Sequence, residues 1–259
     1  MKFSYSGLLV LLLLAFSSCK KDSTLFELIP ASKTGIEFNN EIVETDSFNI
    51  LTDEYIFNGG GIAVADFDNN GLPDLFFTGN QVANKLYLNS GKFKFEDVTE
   101  AAGVGADDQW CTGAVVVDIN GDGWMDIYVA SAMKLGPGER NNLLFVNQGK
   151  DESGSISFKE MASDYGIADA GNAMWAAFID YDLDGDLDLY VLNNQQSRSV
   201  PSNYRLKITD GSAINNDAFY RNNGDGTFTN VTLEAGITIE GYGLGVLVSD
   251  LNNDGWPDI

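Results

Sequence analysis

One nine-residue pattern, D-x-[DN]-x-[DN]-G-x-x-D, occurs four times in this chain of 259 residues. The copies are DFDNNGLPD, DINGDGWMD, DYDLDGDLD and DLNNDGWPD, and they begin at Asp66, Asp118, Asp180 and Asp250. Successive copies are about 50 to 70 residues apart, a spacing that indicates an array of similar supersecondary units. This repeat constrains the fold more than any other feature of the sequence.

A second element recurs between the acidic loops. It reads NKLYLNSG from Asn84, NNLLFVNQG from Asn141 and NDAFYRNNGDG from Asn216, and each copy precedes an aromatic-led segment (FKFEDVTEAAGV, ISFKEMASDYGI, TFTNVTLEAGI). One unit therefore predicts a strand, the acidic loop, a second strand, a short connection, a third strand, a glycine-containing turn and a fourth strand. Residues 197–216 are more polar and lack this pattern, so we interpret them as a surface insertion in the third unit.

The acidic pattern has the chemistry of a calcium loop. Positions 1, 3 and 5 direct oxygen ligands at one centre, glycine at position 6 permits a sharp turn, position 7 offers its carbonyl, and the aspartate at position 9 closes the cage. Position 12, which is a bidentate glutamate in an EF-hand, is Phe77, Val129 and Val191 in the first three loops. The flanking residues are strand-like, so the loop is predicted to join two strands.

Calcium is the cation that these ligands favour. Oxygen donors without nitrogen or sulfur suit a hard cation, and magnesium tolerates a crowded protein cage poorly. The third loop supplies four carboxylates where the others supply three, so we expect it to fill first, with Asp186 offering only its carbonyl. Solvated acidic turns are the alternative interpretation. The predicted ligands are Asp66, Asp68, Asn70, Leu72, Asp74, Asp118, Asn120, Asp122, Trp124, Asp126, Asp180, Asp182, Asp184, Asp186, Asp188, Asp250, Asn252, Asp254, Trp256 and Asp258.

Composition argues against several classes of function. With 38 Asp and Glu against 15 Lys and Arg, the formal charge of -23 repels nucleic-acid phosphate, and no nucleic-acid partner is expected. Histidine is absent, which removes the usual general base and the serine and cysteine triads that need it. The S-x-x-K spacing at Ser131 lacks its partner motifs, and GYGLG at Gly241 precedes a strand-like segment. We therefore assign no catalytic residues.

The N-terminus has the features of an export signal. Lys2 precedes an apolar run over residues 7–16, and small residues in FSSC lead to Cys19. We expect a signal peptide at residues 1–18, a lipidated Cys19 with a tether over 19–24, and a lipid anchor in a bacterial cell envelope, with the outer membrane as the expected site. An ordinary cleaved signal with an incidental cysteine is the alternative. Cys111 is then the only other cysteine, and its apolar surroundings predict a core position.

The loops, together with NKLYLNSGKFKFEDVTEAAGV and GYGLGVLVSDLNNDGWPDI, resemble the FG-GAP or VCBS repeats of β-propellers. They resemble in particular the bacterial proteins that pair such a propeller with a C-terminal ASPIC/UnbV domain, and the resemblance covers residues 25–259. It implies an all-β propeller, commonly of seven blades, of which about four would be present. Because Ile259 directly follows the fourth loop, we expect a piece of a longer protein.

Two classes of function follow from this reading. The first is a calcium-stabilised binding or adhesion module on the cell envelope, with a glycan or a protein as its partner. The alternative is an extracellular calcium-dependent polysaccharide lyase or hydrolase, because propellers also host enzymes. The sequence shows neither a general base nor a convergent polar pocket, so the binding module is favoured.

Overall fold

A computed structural model describes residues 24–133, 140–196 and 205–259 of the chain. The signal peptide, Cys19, all but the last residue of the tether, and residues 197–204 of the insertion lie outside these ranges. The helices within them are three four-residue segments, α1 (Ala31–Thr34), α2 (Thr99–Ala102) and α3 (Ala162–Tyr165). A helix able to cross a bilayer is not found in the described ranges.

Twelve strands form three antiparallel sheets of four strands each. Sheet 1 contains β1 (Ile62–Ala65), β2 (Asp74–Phe77), β3 (Lys85–Asn89) and β4 (Phe95–Asp97). Sheet 2 contains β5 (Cys111–Val117), β6 (Asp126–Ser131), β7 (Leu143–Lys150) and β8 (Ile156–Glu160). Sheet 3 contains β9 (Ala173–Ile179), β10 (Asp188–Asn193), β11 (Ala218–Asn222) and β12 (Phe228–Asn230). Strands neighbouring in sequence pair in every sheet, as the repeat unit predicts.

Each of the first three acidic loops joins the first and second strands of its sheet. The strand pairs begin at Ala65 with Asp74, at Val117 with Asp126, and at Ile179 with Asp188. The ninth aspartate is therefore the first residue of the second strand, where it belongs to both the loop and the sheet.

The three sheets pack face to face through alternating side chains, as period-2 strands allow. In β6, Ile127 and Val129 share a core with residues of sheet 1, whereas Tyr128 and Ala130 share a core with sheet 3. The first strands lie closest together, since β5 contacts both β1 and β9. The fold is thus all-β, and the sheets are arranged as the blades of a β-propeller.

Close approach between the first strands requires a small residue at one contact. A Cβ atom placed on Gly113 would lie 2.7 Å from the indole ring of Trp175 and 2.9 Å from the carbonyl oxygen of Met174. Both Gly113 and Trp175 lie five residues before an acidic loop, and Gly245 holds the same place in the fourth unit. Nothing lies within 4 Å of a Cβ built on Gly245.

The fourth unit contributes its acidic loop to the described residues. Across residues 231–259 the backbone forms only isolated bridges, one of which pairs Ser249 with Asp258 around the fourth acidic loop. Residues 205–216 contain no strand, as predicted for the insertion.

Candidate functional site

The acidic loops share a turn held by the carboxylate of their first residue. In the first loop, Asp66 accepts hydrogen bonds from the amides of Asn70 (3.0 Å) and Gly71 (2.7 Å). Asp118 and Asp250 accept the corresponding pairs of amides in the second and fourth loops. In the third loop, Asp180 accepts the amide of Gly185 at 3.2 Å. This arrangement curls the first side chain inward, as a cation-binding loop requires.

Two positions of every loop have left-handed backbone. The sixth residue is glycine throughout, with φ between 84° and 97°, as the sequence predicts. The fourth residue also has positive φ, and here the four loops hold Asn69, Gly121, Leu183 and Asn253. Leu183 is the unusual member of this set. A bulky residue adopts left-handed backbone only at a cost in conformational free energy.

The ninth aspartate is a buried anchor between loop and sheet. Asp74 accepts the amide of Phe67 through Oδ2 (2.8 Å) and the amide of Asn89, at the end of β3, through Oδ1 (2.7 Å). Asp126 accepts the amides of Ile119 and Asn147, and Asp188 accepts those of Tyr181 and Asn222. Our sequence reading missed these asparagines, although N-x-G at the end of each third strand was the available signal.

Burial raises the pKa of these anchors. The pKa of Asp74 rises to about 6 because the carboxyl is desolvated, and the negative charges of Asp66 and Asp68 add to the effect. The pKa of Asp126 rises to about 6 for the same reasons, and that of Asp188 is also raised by burial. Several carboxylates therefore crowd one buried point, and a divalent cation would relieve the repulsion between them.

Two loops bring carboxylate oxygens into a compact group. One oxygen from each of Asp66, Asp68 and Asp74 lies within 4.8 Å of the others, and the same holds for Asp180, Asp182 and Asp184. In the third loop, the Oδ1 atoms of Asp180 and Asp182 are buried and have no hydrogen-bond partner. Buried acceptors without donors are costly, so these oxygens fit a hard cation such as calcium.

The second and fourth loops keep the same backbone with different side-chain contacts. The side-chain amide of Asn120 donates to the carboxylate of Asp122 (2.8 Å), and the side-chain amide of Asn252 donates to the carboxylate of Asp254 (3.0 Å). These contacts occupy carboxylate oxygens that the sequence assigns to the metal. Calcium binding there would require the asparagine amides to turn their oxygens inward.

In every loop, the backbone amide of position 7 donates a hydrogen bond to the side-chain oxygen of position 5. The amides of the seventh residues donate to Asn70, Asp122, Asp184 and Asp254 at 2.8 to 2.9 Å. These seventh residues are Leu72, Trp124, Asp186 and Trp256. Trp124 packs against the core between sheets 1 and 2, whereas Trp256 is 50% exposed.

Two other sequence interpretations can be compared with the structure. Cys111 has no exposed surface and lies in the core between sheets 1 and 2, which confirms the core position. Ser131 is also fully buried, so it is poorly placed to act as a nucleophile; Lys134 lies outside the described residues.

Comparisons with known proteins agree with this architecture. The FG-GAP-like repeat family matches residues 66–129 and 208–259, which include the first, second and fourth acidic loops. Cartilage acidic protein 1 of Mus musculus is 26% identical over 202 residues, which cover 78% of this chain and 28% of that protein. The human protein of the same name is also 26% identical over 202 residues, covering 78% of this chain and 27% of its own length.

This chain thus spans less than a third of the length of these curated relatives. The third loop lies outside the matched ranges, yet it has the same strand pairing and the same aspartate anchor. We conclude that the chain carries FG-GAP-like repeats folded as propeller blades.

Proposed function

We propose that this protein is a calcium-stabilised β-propeller that serves as a binding or adhesion module for an extracellular glycan or protein partner. The observation that carries the calcium assignment is the pair of buried, unpartnered oxygens on Asp180 and Asp182, beside the carboxylate of Asp184. FG-GAP repeats suggest a propeller, often one with an adhesion or binding role, which supports the binding assignment.

The envelope location and the wider family are part of the same proposal. A lipid on Cys19 would tether the propeller to the outer membrane, and an ASPIC/UnbV domain would accompany it in the complete protein. The relatives are named as acidic proteins, and this chain has a formal charge of -23. Mass spectrometry of the mature protein should find an acylated Cys19; a mature chain starting elsewhere would exclude the anchor.

Calcium would act here mainly on stability. Empty loops hold carboxylates within a few ångströms of one another, and each like-charge pair costs about 1 kcal/mol even in a water-like dielectric. A cation that binds only the folded loops stabilises the fold by mass action. The metal would thereby fix the hairpins from which the partner-binding loops project.

Calorimetry with calcium tests the assignment. We expect chelation to lower the melting temperature, and Asp184→Asn to weaken the tightest site by about tenfold or more because one of its carboxylate ligands is lost. Asp186→Asn is the matched control, since it removes the same charge from a position that offers only a carbonyl. If millimolar calcium neither binds nor changes the melting temperature, the loops are solvated turns and the proposal fails.

A further inference from the structure

A lysine from sheet 2 lies against the acidic loop of sheet 1. The ammonium group of Lys150, at the end of β7, is 3.7 Å from Oδ2 of Asp68. We propose that Lys150 is a built-in counter-cation for the first loop, which competes with calcium there and makes this loop bind calcium more weakly than the third. This inference rests on the proposed calcium function.

The contact is held by the packing of the two sheets. The side-chain amide of Asn147, three residues before the lysine, donates to the carbonyl oxygen of Phe67 in the first loop at 2.9 Å. Asn69 in the same loop donates to the carbonyl oxygen of Gly123 in the second loop at 3.1 Å. The lysine therefore extends from a fixed backbone toward a fixed loop.

The ion pair between Lys150 and Asp68 is partly shielded from solvent. The side chain of Asp68 is only 14% exposed, so solvent screens the pair less than it would screen a surface ion pair. Asp68 also belongs to the compact group with Asp66 and Asp74. A positive group from another sheet therefore already neutralises part of the negative charge of this group.

The third loop has no such counter-cation within the described ranges. Its carboxylates make none of the salt bridges found there, and two of its buried oxygens have no donor. Three residues after the anchoring asparagine, sheet 2 has Lys150, which reaches the loop of sheet 1. The same place in sheet 3 is Asp225, so sheet 3 offers no ammonium from this position to the loop of sheet 2. Among the described residues, the first loop thus pairs three carboxylates with one ammonium, whereas the four carboxylates of the third loop form no salt bridge.

Calcium at the first loop must therefore displace the lysine or share Asp68 with it. Displacing the lysine would release one electrostatic link between sheets 1 and 2. The first loop should therefore respond over a higher range of calcium concentration than it would without Lys150.

A luminescence reporter can isolate the first loop in the whole chain. Leu72→Trp places an indole at the seventh position, where the second and fourth loops already carry tryptophan, and Trp124→Phe with Trp256→Phe removes those two donors. Terbium bound in the first loop is then sensitised by the introduced indole, and calcium displaces it. Lys150→Gln is compared with Lys92→Gln, which removes an exposed lysine from the same place in sheet 1.

We expect Lys150→Gln to raise the apparent affinity of the first loop for terbium and calcium about two- to fivefold, with Lys92→Gln unchanged. Chelation should also lower the melting temperature more in Lys150→Gln than in the parent. Equal affinities with and without Lys150 would overturn this inference and leave the calcium function standing. Absence of terbium and calcium binding in every variant, including the parent, would refute the proposed function as well.

Discussion

At the scale of single residues, the fourth loop position shows how the backbone selects side chains. Leu183 has φ of 60° and is 50% exposed, while the corresponding residues of the other loops are asparagine or glycine. Asparagine tolerates left-handed backbone through local hydrogen bonds, whereas Leu183 is half exposed, so burial does little to offset its strain. The leucine is therefore a local defect in the third loop.

We predict that Leu183→Asn stabilises the protein by about 0.5 to 1 kcal/mol, because it relieves that strain. Urea unfolding at saturating calcium measures the change. The reverse substitution in the second loop, Gly121→Leu, should destabilise the protein by at least a similar amount. A Leu183→Asn protein no more stable than the parent would show that the loop absorbs leucine without strain.

At the scale of elements, the ninth aspartate joins the loop to the third strand. Asp126 is fully buried and accepts two backbone amides, so removing it leaves two buried donors unpaired. Asp258 occupies the same motif position and is partly exposed. Its side chain accepts the loop amide of Leu251, while its backbone carbonyl accepts the amide of Ser249. The second loop should therefore depend on its anchor more than the fourth.

We predict that Asp126→Ala costs about 2 to 4 kcal/mol in metal-free protein, through the loss of both hydrogen bonds and the desolvated donors left behind. Asp258→Ala should cost clearly less. Urea unfolding of both variants after removal of metal provides the comparison. Equal losses would mean that the third-strand amide contributes nothing.

The anchors also predict an unusual dependence on pH. In the folded metal-free protein the pKa values of Asp74 and Asp126 are raised from 3.8 to about 6, so between those values the folded state binds more protons than the unfolded chain. Stability must then rise as the pH falls, because linkage favours the state that binds more protons. With calcium bound the carboxylates are held ionised, and the direction reverses.

We therefore expect the urea midpoint of metal-free protein to increase from pH 7 to pH 5, and that of calcium-saturated protein to decrease over the same range. Asp126→Asn should show a smaller increase, since one titrating anchor is gone. A metal-free protein that loses stability steadily on acidification would contradict the raised pKa values.

At the scale of the whole molecule, the first strands set how closely the blades approach. The contact between Gly113 and Trp175 leaves no room for a methyl group on the glycine. We predict that Gly113→Ala destabilises the protein by about 1 to 3 kcal/mol, as overpacking does.

Thermal and urea unfolding measure the loss of stability in Gly113→Ala. Combining Gly113→Ala with Trp175→Ala should recover part of the loss, a coupling that a double-mutant cycle measures. Recovery will be incomplete, since the carbonyl oxygen of Met174 also lies close. If the losses of stability in the two single variants are additive, the added methyl group does not clash with the indole of Trp175.

The features that the sequence predicted are local in the chain, and those that it did not predict depend on contacts between distant residues. The acidic loops, the order of the four strands and the glycines at position 6 were predictable because residues close together in the sequence determine them. The role of Asn89 as donor to Asp74 and the reach of Lys150 to Asp68 were not, because both depend on strand register or sheet packing.

The anchoring hydrogen bonds have a consequence for folding kinetics. Their partners are 15 residues apart in sheet 1 (Asp74 and Asn89), 21 in sheet 2 (Asp126 and Asn147) and 34 in sheet 3 (Asp188 and Asn222). Closing a longer segment costs more chain entropy and slows the formation of the contact. The third loop, which holds the most carboxylates, should thus be completed last, so calcium captured there would slow unfolding more than it speeds folding.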